Sequence, residues 1–133
     1  MDPKSDCEFL QAKGAPPHVV KRGLAGLMED WEKVVVLIGR GYDSGLDDYL
    51  NDMDLRQLLE ETFKVVSEGE KQKFQERLQE ADARMRSLTK PASKCLWGEK
   101  VAQEEGWNRE KNWWYYARPL KADQELLEEI EKL

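Results

Sequence analysis

Apolar residues recur every three or four positions along much of the chain, which is the spacing of one face of a helix. The longest such pattern lies between two prolines, at positions 16 and 17, and the glycines at positions 39 and 41. Its apolar members are Val20, Leu24, Leu27, Met28, Trp31, Val34, Val35 and Ile38. Proline is tolerated in the first turn of a helix, and glycine is common just beyond its end. The pattern therefore predicts one long helix between these marks.

Two later segments have the same spacing, and each follows a capping box, in which a cap residue precedes Glu or Gln by three positions. Asp54 and Gln57 predict the start of a second helix, after one or two separate turns near Leu46–Met53. Ser67 and Glu70 predict the start of a third. The apolar face of this third helix consists of Phe74, Leu78, Ala81, Met85 and Leu88.

The last apolar pattern lies at the end of the chain. Asp123 is a suitable cap for a short helix, and the apolar side chains that follow it are Leu126, Leu127, Ile130 and Leu133. A helix of about a dozen residues is marginal on its own in water. We therefore expect it to pack against the three longer helices.

The aromatic segment 112–119 alternates as a strand would. Trp113, Tyr115 and Ala117 would lie on the inner side of such a strand, and Trp114, Tyr116 and Arg118 on the outer side. A two-stranded hairpin with residues 94–97 would result. Core, protein interface and nucleic-acid binding all remain open for these rings.

Helix-forming residues dominate the composition, and the β-branched residues that favour sheets are few. The predicted fold is all-α or nearly so: about three longer helices, a C-terminal helix, and a short irregular or two-stranded aromatic segment. The first 15 residues contain few large apolar side chains and lead into Pro16 and Pro17, so we predict a flexible tail over residues 1–15. Residues 16–133 are then a single helical domain.

Charge is unevenly distributed over a chain whose formal net charge is −6. Residues 41–62 contain seven acids and one base, a net charge of −6; residues 84–121 contain nine bases and four acids, a net charge of +5. The last twelve residues contain five acids and one base, a net charge of −4. The acidic window predicts a solvated face or a docking surface for a basic partner.

Several classes of protein are disfavoured by the sequence. Its longest wholly apolar runs are far shorter than the roughly 20 residues of a membrane span, and the polar N-terminus lacks the apolar core of a signal peptide. Two cysteines give no disulfide framework. The acidic net charge argues against nucleic acid. We expect a cytoplasmic protein, and its composition is typical of small bacterial proteins. A homo-oligomer remains possible.

Candidate chemistry is sparse. The acidic window does not match the calcium-binding loop template, which needs Gly at position 6 and Glu at position 12. The single histidine, His18, has no partner at zinc-ligand or catalytic spacing. We therefore expect no metal and no cofactor, name no catalytic residue, and favour a protein that is not an enzyme.

The function that remains is a small acidic protein-interaction module, an adaptor or inhibitor that binds a basic protein. An immunity protein that neutralises a basic toxin would be one member of this class. The candidate partner-binding residues are Asp43, Asp47, Asp48, Asp52, Trp114, Tyr116 and Arg118. The alternative is a small-ligand-binding protein or enzyme with a pocket that the Trp/Tyr segment lines.

Overall fold

The fold is mostly helical, as predicted. A computed structural model describes residues 5–133, of which about 70% are helical. Within that range six helices accompany one two-stranded antiparallel sheet. The helices are α1 (Asp6–Ala12), α2 (Pro17–Arg40), α3 (Leu46–Val65), α4 (Glu68–Ser87), α5 (Glu99–Glu105) and α6 (Gln124–Glu131). The strands are β1 (Thr89–Pro91) and β2 (Ala117–Pro119).

The helices α2, α3 and α4 form the centre of the molecule, and α2 contacts both of the others. The predicted ends of α2 are confirmed, because it begins at Pro17 and Gly41 caps its end. Its apolar stripe from Leu24 to Ile38 is buried. The predicted start of α4 is also confirmed, since the Ser67 hydroxyl caps the helix by accepting from the Glu70 amide at 3.3 Å.

Residues 6–12, which the sequence predicts to be part of a tail, form the helix α1. The Ser5 hydroxyl accepts from the Glu8 amide at 3.0 Å and caps this helix. Leu10 is fully buried where α1 contacts α2 and α3. The N-cap, the burial of Leu10 and the packing of Phe9 against the core hold this short helix in place. Residues 1–4 of the predicted tail lie outside the described residues.

The helix α2 has an interruption at Gly23, where φ is +64° and ψ is −155°. At this point the Leu24 amide donates to the Asp6 carboxylate at 2.8 Å, so α1 supplies a cap for the second part of α2. A Cβ atom on residue 23 would lie 2.3 Å from the same carboxylate oxygen. Glycine is required here both for the backbone angle and for the close approach of Asp6.

The helix α3 is continuous from Leu46 to Val65, so the predicted break at Asp54 is wrong. The Asp54 carboxylate does not cap a helix. It accepts instead from the Tyr115 hydroxyl at 2.7 Å and from the Trp97 indole at 3.0 Å. An Asp three positions before a Gln fits a helix start, but the same pattern also occurs inside a helix. The sequence alone does not show that the Asp54 carboxylate accepts hydrogen bonds from distant aromatic side chains.

The aromatic segment differs most from the prediction. Trp113–Tyr116 forms a 3₁₀ turn, and the strand that follows it pairs with residues 89–91 rather than with residues 94–97. The 3₁₀ turn rotates successive side chains by about 120° rather than 180°, so the predicted alternation fails. Trp114, Tyr115 and Tyr116 are all buried.

The C-terminal helix α6 is present as predicted and buries Leu126 and Ile130. Asp123 occupies its N-cap position, but the Asp123 side chain forms no capping hydrogen bond within residues 5–133. The segment before it is held by an isolated bridge between Tyr42 and Ala122, which places α6 against the start of α3. Among residues 5–133, no helix is long and apolar enough to cross a membrane.

Candidate functional site

The turn between α2 and α3 carries the first part of the acidic window. Gly41, with φ at +108°, ends α2 and redirects the chain. Asp43 lies in the turn, and Asp47 and Asp48 occupy the first turn of α3, where the helix dipole favours negative charge. All three side chains belong to exposed residues, as expected.

Among the four aspartates predicted to bind a partner, Asp52 is the one that faces inward. It is half-buried and accepts from the Tyr42 hydroxyl at 2.6 Å. Burial raises the pKa of the Asp52 carboxyl, the Tyr42 hydrogen bond opposes this, and the negative charge of Asp48 adds to it. Asp52 therefore anchors the turn through Tyr42.

Tyr42 and Tyr49 fasten this turn to the rest of the molecule. Their rings meet edge to face with centroids 5.1 Å apart. The Tyr49 hydroxyl donates to the Ala117 carbonyl at 2.7 Å, and burial raises the pKa of this phenol well above its usual range. The exposed aspartates are thus presented on a rigid base.

The fold brings the acidic C-terminal segment next to this turn. The Tyr42 amide donates to the Lys121 carbonyl, and the Asp123 amide donates to the Tyr42 carbonyl, both at 2.9 Å. A Cβ atom on Gly45 would lie 3.8 Å from a Glu129 carboxylate oxygen. We call the resulting set the acidic surface: Asp43, Asp47, Asp48, Asp123 and Glu129.

No member of the acidic surface forms an ion pair with any residue in the range 5–133. Other acids of the helices are often compensated, for example Glu61 by Lys13 and Glu32 by Arg77. The charge of the acidic surface is therefore available to a partner. The sequence showed two separate acidic stretches, and only the fold joins them.

Trp114 and Tyr116, which the sequence predicts to face outward, are buried, so this part of the prediction is wrong. Trp114 is 1% exposed and packs beneath the Arg56 guanidinium, whose central carbon lies 4.4 Å from the ring centroid. Tyr116 is 8% exposed and packs beneath Arg109. Arg118 is half-buried and pairs with Glu131 at 2.9 Å. None of these three side chains forms a hydrogen bond or ion pair with Asp43, Asp47 or Asp48 among residues 5–133.

Arg56 is the centre of a buried polar network that the sequence analysis does not single out. Its guanidinium donates to both Asp82 oxygens, at 3.0 and 2.8 Å, and to Glu60 at 3.1 Å. The Trp31 indole donates to the same Asp82 carboxylate at 3.0 Å. The network links α2, α3 and α4. The sequence did contain an indication of this network. Asp82 lies four positions after Leu78 and three before Met85, which places it on the buried face of α4 rather than on its polar face.

Several basic residues lie beside the aromatic segment. Trp113 is half-buried, and the Arg86 guanidinium lies 4.2 Å from its ring centroid. A pocket of about 240 Å³ opens beside these rings. It is lined by Arg86, Thr89, Lys90, Pro91, Arg109, Trp113, Tyr116 and Ala117, and we call it the basic pocket.

Within residues 5–133, no three His, Cys, Asp or Glu side chains converge in a way that could hold a metal ion. Comparison with protein-family models, curated proteins and solved structures found no match. The function is therefore inferred from the acidic surface and the basic pocket alone.

Proposed function

We propose that the protein is a small interaction module of the cytoplasm that binds a basic protein through the acidic surface. The observation that carries the proposal is the joining of two acidic stretches, on α3 and before and within α6, with none of the five carboxylates in an ion pair among residues 5–133. Such a surface raises the association rate of a positively charged partner.

Two further features support this role. The acidic surface is built on a turn that Tyr42 and Tyr49 hold in place, so little ordering would be needed on binding. Leu120, which is 54% exposed, precedes the segment that pairs with Tyr42 and offers apolar contact close by in the chain.

Cys7 and Cys95 are free thiols, which accords with a reducing compartment. An inhibitor of the immunity type is one concrete form.

The test first identifies the partner as the protein that co-purifies with the tagged chain from its native host. The affinity of this partner is then measured for the unaltered chain and for the triple variant Asp43→Asn, Asp47→Asn, Asp48→Asn. A matched control changes three exposed and unpaired acids elsewhere: Glu76→Gln, Glu80→Gln and Glu104→Gln. We expect the first variant to lose affinity for a basic partner and the control to retain it. An acidic partner, or equal affinity for both variants, would contradict the proposal.

A second candidate function is ligand binding beside the aromatic segment. The basic pocket, with Trp113 and Tyr116 in its lining, is the specific observation that favours it. Co-purification of a small molecule rather than a basic protein would favour this second function over the first.

A further inference from the structure

The basic pocket collects three cationic side chains without any carboxylate in its lining. Arg86 comes from the last turn of α4, Lys90 from β1, and Arg109 from the segment before the 3₁₀ turn. None of the three forms an ion pair with another residue of the described range 5–133. In a protein whose net charge is −6, this is an unusual local excess of positive charge.

Both guanidinium groups are held by contacts that leave their charge in place. Arg109 donates to the Ala92 carbonyl at 2.7 Å and to the Ser93 carbonyl at 2.5 Å, and it lies over the Tyr116 ring at 4.7 Å. Two of its five N–H groups are used, so three remain. Arg86 lies over Trp113 and donates no hydrogen bond within residues 5–133. Stacking positions these guanidinium groups and leaves N–H edges free for an anion.

The acids that share a neighbouring cleft with Arg109 do not line this pocket. Glu99 and Glu110 line a neighbouring cleft, to which Arg109 and Tyr116 also contribute. Arg86 contributes in addition to a larger open cleft of about 680 Å³, where Glu60, Glu61, Glu105 and Glu110 accompany Lys64 and Lys111. Mixed charge makes both clefts poor anion sites. The basic pocket alone among the three presents cations and rings without carboxylates.

We propose that the basic pocket binds a phosphate monoester whose organic part is a single flat ring. Three cations suit a dianion better than a monoanion, and guanidinium forks bind phosphate through paired N–H groups. Trp113 and Pro91, which line the pocket and are not fully buried, offer apolar surface for the ring. The volume is below the roughly 300–1,000 Å³ of sites for drug-sized ligands, so a compact ligand is expected. The inference gives a ligand class to the second candidate function and is independent of the acidic surface.

Calorimetric titration of the whole chain tests this inference with phenyl phosphate as the probe. Inorganic phosphate and phenol supply the two halves of the probe separately. We expect phenyl phosphate to bind more tightly than either. A peptide with one phosphotyrosine serves as a further arm, since the same chemistry occurs on proteins. Tighter binding of the peptide would identify a protein as the source, and weaker binding would identify a free metabolite.

The variants Arg86→Gln and Arg86→Lys separate charge from geometry. Loss of a charge-assisted, two-pronged contact should weaken phenyl phosphate binding by about tenfold or more in Arg86→Gln. Arg86→Lys retains the charge but not the fork, so its binding should also be weakened. Lys94→Gln, which removes one exposed positive charge outside the pocket, is the matched control and should bind as the unaltered chain does. Thermal melts establish that each variant is folded.

Two results would overturn the inference. If phenyl phosphate does not bind, or binds equally to Arg86→Gln and to Lys94→Gln, the basic pocket is not an anion site. If phenol binds as tightly as phenyl phosphate, the phosphate class is wrong, although ligand binding beside the aromatic segment would stand. Neither result bears on the acidic surface, which the aspartate variants test.

Discussion

Two charged regions of this molecule use the same residue types in opposite ways. In the network around Arg56, every charge is buried or half-buried and faces a partner of opposite sign or an indole N–H. On the acidic surface, no carboxylate forms an ion pair with a residue in the range 5–133. Compensated charge in the interior holds helices together, whereas uncompensated charge at the surface is free for recognition. Burial and pairing, rather than residue type, distinguish the two roles.

Removal of Arg56 is expected to give the largest effect. Arg56→Met leaves the Asp82 carboxylate without its guanidinium between α3 and α4, and breaking a buried ion pair costs about 3–5 kcal/mol. That is a large part of the roughly 5–15 kcal/mol that stabilises a domain of this kind. Urea denaturation monitored by circular dichroism measures the loss in the free energy of unfolding.

The exposed pair of Lys73 and Glu70 on α4 is the matched control for Arg56. Lys73→Met should cost far less stability than Arg56→Met, because exposed ion pairs are screened by solvent and contribute little. Equal losses for Arg56→Met and Lys73→Met would mean that the buried network does not hold the helices together.

Substitution within the aromatic segment should show which rings belong to the interior. Trp114→Ala removes a ring that is 1% exposed, so a loss of about 3–5 kcal/mol is expected. Trp113→Ala removes a half-buried ring and should cost clearly less. Thermal melts of the two variants compare them directly. Near-equal losses would contradict the burial difference between neighbouring rings.

The pH dependence of stability should identify Asp52 as the inward member of the acidic window. Because its pKa is raised on folding, the protonated carboxyl stabilises the fold at low pH. That contribution is lost as the pH rises from about 4, the usual value for aspartate, through the raised pKa. Asp52→Asn should remove this dependence while its amide oxygen still accepts from Tyr42.

The measurement is the difference in the free energy of unfolding between the unaltered chain and Asp52→Asn as a function of pH. The unaltered chain should lose stability relative to the variant as the pH rises. Asp47→Asn, which changes an exposed carboxylate of the same helix, should show no comparable trend. A difference that does not vary with pH would show that Asp52 is not perturbed by burial.

The sequence predicts the helices whose apolar faces repeat regularly, namely α2, α4 and α6, because their burial follows from local spacing. It does not predict how α3 continues through Asp54, since the acceptor role of that residue depends on Trp97 and Tyr115, 43 and 61 positions away. The 3₁₀ turn likewise depends on the packing of Trp114 under Arg56.

The exposed aspartates of the candidate site could be predicted from the sequence, but the complete acidic surface could not. Asp43, Asp47 and Asp48 follow a turn and begin a helix, which keeps them at the surface. Asp123 and Glu129 join them only through the bridge between Tyr42 and Ala122, a contact across most of the chain. The basic pocket is also nonlocal, because its cations come from three separate segments.

The claim that the acidic surface recruits a basic partner is tested most directly by the dependence of the association rate on ionic strength. Stopped-flow or surface-based kinetics would compare the unaltered chain, the triple variant at Asp43, Asp47 and Asp48, and the Glu76, Glu80 and Glu104 control. We predict that the triple variant associates more slowly and with a flatter salt dependence, while its dissociation rate changes less. The same association rate and the same slope for all three proteins would contradict the claim.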